Sequence, residues 1–377
     1  MRHAWIVLLA LAACGDDDGT GDSFDGGPVS DGGERDMFVA DAAEAVDFGT
    51  EPDLGPPARD RDLWISVGGE SRLATGRLAA DGTLSLGDDI TLPERPGAMT
   101  YGRESERLYV GLRNGSIGVV DLTGPTVLPV TGGTGNPVYV ALDDAEDHLV
   151  SAYFGDDRLR AHAVDGAPPF TETDALDSAD EPHAATLGPN GLFYVPHRTG
   201  DTIHWYSLGD TGELALEGQV ASDAGEGPRH IAFHPSGDYA YVIMEFADVV
   251  VLHDVAADGS LTRREAYPTL PEGFDGDSNT TADVHVTPDG TALYGSNRGH
   301  DSLAMFRIAS DGALTSLGTV STEARPREFA MSPDGRYVIA AGQDSGFLQS
   351  YRVEASGELT SVDRIEVGPD LRWVIVD

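Results

Sequence analysis

The chain has 377 residues, 40% of them apolar, with 47 Gly and 22 Pro, a turn-rich globular composition that fits neither a disordered chain nor a helical bundle. All 24 basic residues are Arg, set against 64 acidic ones, and the net charge of −40 argues against nucleic-acid binding, which needs a basic surface for phosphates. A single Cys excludes an internal disulfide.

Residues 1–13 read as a signal peptide: Arg2, an apolar run from Ala4 to Ala13, and small residues before Cys14. The run is too short to span a bilayer as a stable helix. Residues 14–62 follow with repeated Asp-Gly and Gly-Gly pairs and few apolar side chains, so a disordered acidic tether is expected there. Asp16, Asp17, Asp18 and Asp22 lack the spacing of a calcium loop. The globular part is expected over 63–377.

That part is built on a repeat. Ile231 to Val242, Val284 to Tyr294 and Phe329 to Val338 each place a Pro-containing turn between two apolar runs, and a weaker copy surrounds Pro189-Asn190-Gly191. The four prolines, Pro189, Pro235, Pro288 and Pro333, lie 46, 53 and 45 residues apart. A second turn keeps the same phase at Gly212, Gly259, Gly312 and Gly357. Strand, turn, strand, loop, strand, Gly turn, strand at this period is the blade of a β-propeller. Degenerate copies run from Met99 to Leu122 and from Val138 to Val164. The segment Leu63-Trp64-Ile65-Ser66-Val67 matches second strands, and Leu371 to Val376 supplies the missing first one. The prediction is an all-β, seven-bladed propeller whose C-terminal strand completes the N-terminal blade, which removes free sheet edges.

In a propeller the loops before first strands and after second strands share one rim. The Pro-Asp-Gly and Asp-Gly-x-Leu turns lie on the other, where turn chemistry alone explains them. On the first rim the sequence puts Glu181-Pro182-His183, Gly227-Pro228-Arg229-His230, Asp283 and Arg325-Pro326-Arg327, together with His197-Arg198, Glu245, Asn297-Arg298 and Gln343. Arg, His and Glu thus converge on the axial mouth of an acidic protein. Pairing of these side chains across neighbouring blades is the structural alternative.

These same segments carry a family resemblance. Gly227-Pro228-Arg229-His230 running to Glu245, Asp283 to Asn297-Arg298, and Arg325-Pro326-Arg327 with Ala340 to Gln343 resemble the seven-bladed lactonase family of propeller-type 6-phosphogluconolactonases and carboxy-muconate cyclases. The resemblance spans Leu63 to Asp377 and is strongest from His183 onward. It departs from the family pattern at Val195-Pro196-His197-Arg198 and at Ser151-Ala152-Tyr153. The resemblance implies His183, Arg229, Glu245 and Arg298 as catalytic residues; from their place on the same rim, His230, Asp283, Arg327, Gln343 and His197 are expected as substrate contacts. Leu11-Ala12-Ala13-Cys14 likewise resembles a bacterial lipobox, which implies lipidation of Cys14 and a place at the cell envelope.

Lactone opening needs a base for water and donors for the developing oxyanion. His183 is the expected base. Arg229 and Arg298 are expected to hold an anionic group, and Glu245 to orient an Arg or His or to act as the acid. The expected partner is a small lactone or anionic carbohydrate-derived substrate, for a monomer with no cofactor, no metal and membrane contact only through the lipid. A lactone-forming cycloisomerase is the related activity. Two other readings follow from the same rim: a non-catalytic binding module, since fold does not dictate function, and a metal propeller drawing on His183, His197, His230 and His300. The last lacks ligand spacing on any one element.

Overall fold

A computed structural model describes residues 59–124, 126–128, 135–164, 166, 168–274 and 279–377. The signal peptide, Cys14 and the tether as far as residue 58 lie outside the described residues. Seven antiparallel sheets make up the seven blades of a β-propeller, numbered here along the chain. Blades two to seven take their innermost strands from Pro96–Gly102, Pro137–Leu142, Thr186–Leu187, Pro228–Phe233, Thr281–Val286 and Pro326–Met331. Blade one is the composite. Its innermost strand is Leu371–Val376, paired antiparallel with Arg61–Val67 in a register that sets Leu63 opposite Val376 and Ile65 opposite Val374. The first strand begins two residues before the expected boundary because Arg61 is itself buried, bonded to Asp334 at 2.9 Å and to the carbonyl of Asp377 at 3.2 Å.

The core is seven inter-blade layers, one at each junction around the ring. Leu63, Ile65 and Val67 of blade one pack on Ile339, Ala341 and Leu348 of blade seven, and Tyr241, Ile243 and Val250 of blade five pack on Val284 and Leu293 of blade six. Central strands are therefore covered on both faces, which is why Ala240 to Met244 reads as a continuous apolar run without alternation. Tyrosines of second strands tie neighbours together: Tyr194, Tyr241 and Tyr294 donate to the carbonyls of Gly259, Gly312 and Gly357 in the next blade at 2.7, 2.8 and 2.9 Å. The Asp-Gly hairpins are the docking points of these tyrosines, so their role is structural.

One local irregularity positions the site. At the start of the innermost strands the register slips by one residue, as between Pro228 and His230, Pro326 and Glu328, and Leu371 and Trp373. Such a bulge leaves one residue unpaired and re-aims its side chain. The bulged positions are Arg229, Arg327 and Arg372, with Val138 in the same place in blade three. Ends of second strands add Arg113, Phe154, Arg198, Glu245, Arg298 and Gln343 beside them.

Candidate active site

A cavity of about 250 Å³ opens at the axis, lined by Asn136, Val138, Phe154, His183, Arg198, Glu245, Arg298 and Arg327. Blades three to seven each contribute, so no single strand carries the site. Gly227 shows the local constraint: its φ of +69° and a Cβ position only 2.5 Å from the Phe246 ring leave room for glycine alone just before Pro228-Arg229.

Glu245 is the electrostatic hub. Its Oε1 lies 3.0 Å from Arg198 Nη1 and 2.9 Å from Arg298 Nη2, and its Oε2 lies 3.3 Å from Arg229 Nε. Burial opposes its charge, but the guanidinia of Arg229, Arg298 and Arg198 outweigh that and hold the carboxyl below its usual range. Glu245 is therefore a fixed anion that orients arginines and is unsuited to act as the acid. Arg198 is also bonded to Glu181 and stacked between Phe154 and Phe246, with its guanidinium 4.6 and 5.2 Å from the two rings.

Arg229 does not meet the cavity. It is fully buried, donates to the carbonyl of Ala282, to His230 Nε2 at 3.2 Å and to Glu328 Oε1 at 3.4 Å, and is not among the cavity's lining residues. The sequence expectation that it holds substrate is corrected accordingly: Arg229 positions Glu245, Glu328 and His230. Arg298 spends Nε and Nη2 on the carbonyls of Thr280 and Thr281 while remaining in the cavity wall. Burial and the proximity of Arg229 bring its pKa down to about 10, so it stays cationic at neutral pH.

His183 is 4% exposed, and its Nδ1 has no hydrogen-bond partner among the described residues. Its backbone N–H donates to the carbonyl of Pro196 at 2.9 Å, which fixes the loop. Burial first, then Arg229, His230, Arg327 and Arg198, push its pKa well below the usual value. The imidazole is neutral and faces a cavity walled by cations.

His230 and Asp283, expected to contact substrate, do not line that cavity but a separate one of about 420 Å³ together with His285, Glu328 and Trp373. Because Arg229 can only donate, His230 Nε2 accepts and its Nδ1–H donates to Asp283 Oδ1 at 2.8 Å. Asp283 Oδ2 accepts from His285 Nε2 at 3.0 Å. Ligand atoms of His230, Asp283 and Glu328 lie within 4.8 Å of one another, the one described cluster with metal-ligand composition. Arg229 at Glu328 already supplies positive charge there, and the ring of His285 donates to Asp283. Burial first, then Asp283, hold the Glu328 carboxyl well above its usual range.

His197 and Gln343 sit apart from the cavity. His197 is fully buried in blade four with Nε2 2.6 Å from Ser178 Oγ and its ring 4.3 Å from that of His204. Gln343 donates to Asp370 Oδ1 at 2.9 Å. His300 bonds Ser302 and packs on Phe274, so the four rim histidines do not gather. Phe154, Asn136 and Glu328 are site residues that sequence reasoning missed. The repeat phase could have found Glu328, which follows Pro326-Arg327 as His230 follows Pro228-Arg229.

Comparison with known proteins agrees with this architecture. A family model described as "Lactonase, 7-bladed beta-propeller" matches residues 68–376. This chain belongs to the seven-bladed β-propeller lactonase family. A curated relative named 6-phosphogluconolactonase, from Pectobacterium carotovorum, is 32% identical over 294 residues, covering 74% of this chain and 87% of that protein. Another of the same name, from Pectobacterium atrosepticum, is 30% identical over 294 residues with the same coverage. Among solved structures, a protein from Lactobacillus plantarum is similar at a TM-score of 0.78 and 25% identity, covering 84% of this chain and 99% of that one. The Pseudomonas aeruginosa periplasmic gluconolactonase shares the fold at a TM-score of 0.73 and 22% identity, with the same coverage. As a member of the lactonase family, this propeller has its polar mouth where blades three to seven converge.

Proposed function

We propose that the protein opens a lactone ring at the axial mouth, with His183 as the general base. The observation that carries this is a buried, neutral imidazole on the wall of a 250 Å³ cavity whose polar walls include the guanidinia of Arg198 and Arg298, both anchored by Glu245. Water beside His183 gives its proton to the imidazole as its oxygen adds to the lactone carbonyl carbon. The carbonyl electron pair moves onto oxygen, where Arg298 offers positive charge in a desolvated setting. Collapse breaks the ring C–O bond, and the imidazolium returns the proton to the departing alkoxide, leaving a hydroxy acid. A lactone-forming cycloisomerase would instead add a substrate carboxylate oxygen across a carbon–carbon double bond, with a proton delivered to carbon and no water taken up or released.

A panel of aldonolactones, muconolactones and acyl-lactones followed by proton release tests this. At least one member is expected to open, and His183→Ala to lower kcat by about 100-fold with an unchanged melting curve. A folded His183→Ala variant with full turnover removes His183 from the mechanism. No turnover across the panel, with capture of an envelope ligand that the Arg298→Ala variant loses, favours the binding-module reading.

The first fourteen residues support export and lipid attachment at Cys14, placing the propeller at the cell envelope on an acidic tether. In detergent phase separation the wild type is expected in the detergent phase and Cys14→Ser in the aqueous phase. Equal aqueous partitioning sinks the anchor.

A further inference from the structure

Beside the main cavity lies a side pocket of about 30 Å³ between blades seven, one, two and three. Asn136, Val138 and Arg327 line both spaces, so the two adjoin. The side pocket adds Gly97, Arg113, Arg372 and Trp373. Its charges are unbalanced. Arg113 Nη2 is 2.9 Å from Asp370 Oδ2, and Arg372 Nε is 2.7 Å from Asp370 Oδ1, so two guanidinia share one carboxylate that also accepts from Gln343. Arg327 has no hydrogen bond or ion pair among the described residues. The neighbouring Glu328 is already engaged by Arg229, whose Nη2 lies 3.4 Å from its Oε1. Arg198, Arg229 and Arg298 share Glu245 in the same way, Arg198 pairing also with Glu181. Cationic charge is therefore left for a ligand on this side of the mouth as well as beside Glu245, and Arg327 borders both spaces.

We infer that the pocket walled by Arg113, Arg327 and Arg372 is the subsite for a carboxylate carried by the substrate, away from the ring that opens at His183. This rests on the lactone-opening reading for the word substrate, but not for the binding itself. A volume of about 30 Å³ admits roughly two water-sized oxygens, at 10–15 Å³ for each, which suits a planar carboxylate better than a tetrahedral phosphate. Guanidinium forks match that plane bidentately. Space for it exists because Gly97 occupies the innermost-strand position that Arg327 and Arg372 fill in their blades. A Cβ at Gly97 would stand 3.4 Å from the Gly111 carbonyl, ordinary contact, so packing does not demand glycine there. The substrate class is then a lactone bearing a second acidic arm.

Trp373 lines the pocket and reports on it. Glutarate and inorganic phosphate are titrated against the full chain by tryptophan emission, with Trp373→Phe as the control for signal origin. Glutarate is expected to bind more tightly than phosphate. Arg327→Gln and Arg113→Gln are each expected to weaken glutarate by tenfold or more; the second leaves Arg372 on Asp370 and so keeps the rim paired. Gly97→Val, which removes no charge but fills the pocket, is expected to weaken it similarly. With an acidic lactone, Arg113→Gln should raise KM tenfold with kcat within twofold, and leave a neutral lactone unaffected. Phosphate binding as tightly as glutarate overturns the carboxylate assignment. Unchanged glutarate affinity in Gly97→Val and Arg327→Gln overturns the location. Glutarate binding without lactone turnover would instead count against the catalytic reading alone.

Discussion

His183 is held neutral by its neighbours, and this makes its behaviour depend on what occupies the mouth. In the free protein, burial and the guanidinia of Arg229, Arg327 and Arg198 disfavour the imidazolium, so the pKa lies well below the usual value. A bound anion cancels part of that positive field and raises the pKa toward a useful value for a base. The base must be unprotonated to act, so activity falls on the acid side of whichever pKa applies. Because kcat/KM reports the free protein and kcat the complex, the acid limb of kcat is expected at higher pH than that of kcat/KM. Pre-steady-state or full pH profiles with an acidic lactone check this; coincident limbs would mean the bound anion does not reach His183. The residue scale also shows why Arg229 belongs to the scaffold. Its Nη1 donates to the Ala282 carbonyl and to His230, its Nε lies 3.3 Å from Glu245, and a fully buried guanidinium stripped of Glu245 would be a costly unpaired charge.

At the scale of elements, the bulge at the head of innermost strands and the tyrosine at the middle of second strands are the recurring devices. The bulge turns Arg327 and Arg372 toward the mouth where unbroken pairing would send alternate residues to the blade faces. The tyrosine ties blades four, five and six each to the hairpin of the next. Tyr241 Oη donates to the Gly312 carbonyl at 2.8 Å in a buried setting. Tyr241→Phe is expected to leave that carbonyl unpaired and cost about 1–3 kcal/mol. Denaturant midpoints of wild type and variant measure it, and an unchanged midpoint would show the bond to be replaceable by solvent. Activity of the folded variant should stay at the wild-type level, since Tyr241 is in the layer between blades five and six and does not line the cavity.

For the whole molecule, closure is the decisive contact. Leu371, Val374 and Val376 are buried in the layer between blades seven and one, and their strand covers the edge of Arg61–Val67. Removing residues 371–377 would expose that edge and part of two inter-blade layers. Such a truncated chain is expected to aggregate or lose its single cooperative transition, read by size-exclusion chromatography and thermal melting. A truncated protein that melts like the full one would mean the ring does not depend on this strand. The same strand carries Arg372 and Trp373 into the side pocket, so closure and ligand recognition share one element.

The propeller, its seven blades and its strand exchange at the ends were legible in the chain because they rest on local signals. Turn residues recur at a fixed phase, and apolar runs fill strands covered on both faces. The identity of the rim residues was legible for the same reason, since loop positions follow from blade topology: His183, Glu245, Arg298 and Arg327 do meet at one cavity. Partnership was not legible. Whether an arginine faces substrate or a buried carboxylate depends on distances between loops of different blades, contributed by residues as far apart as Arg113 and Asp370. His197 turned into blade four for the same reason: Ser178 and His204 offered it contacts that no spacing in the chain announces. Short-range chemistry set the strands and turns, whereas only the closed ring decided which charges are spent on one another and which remain for a ligand.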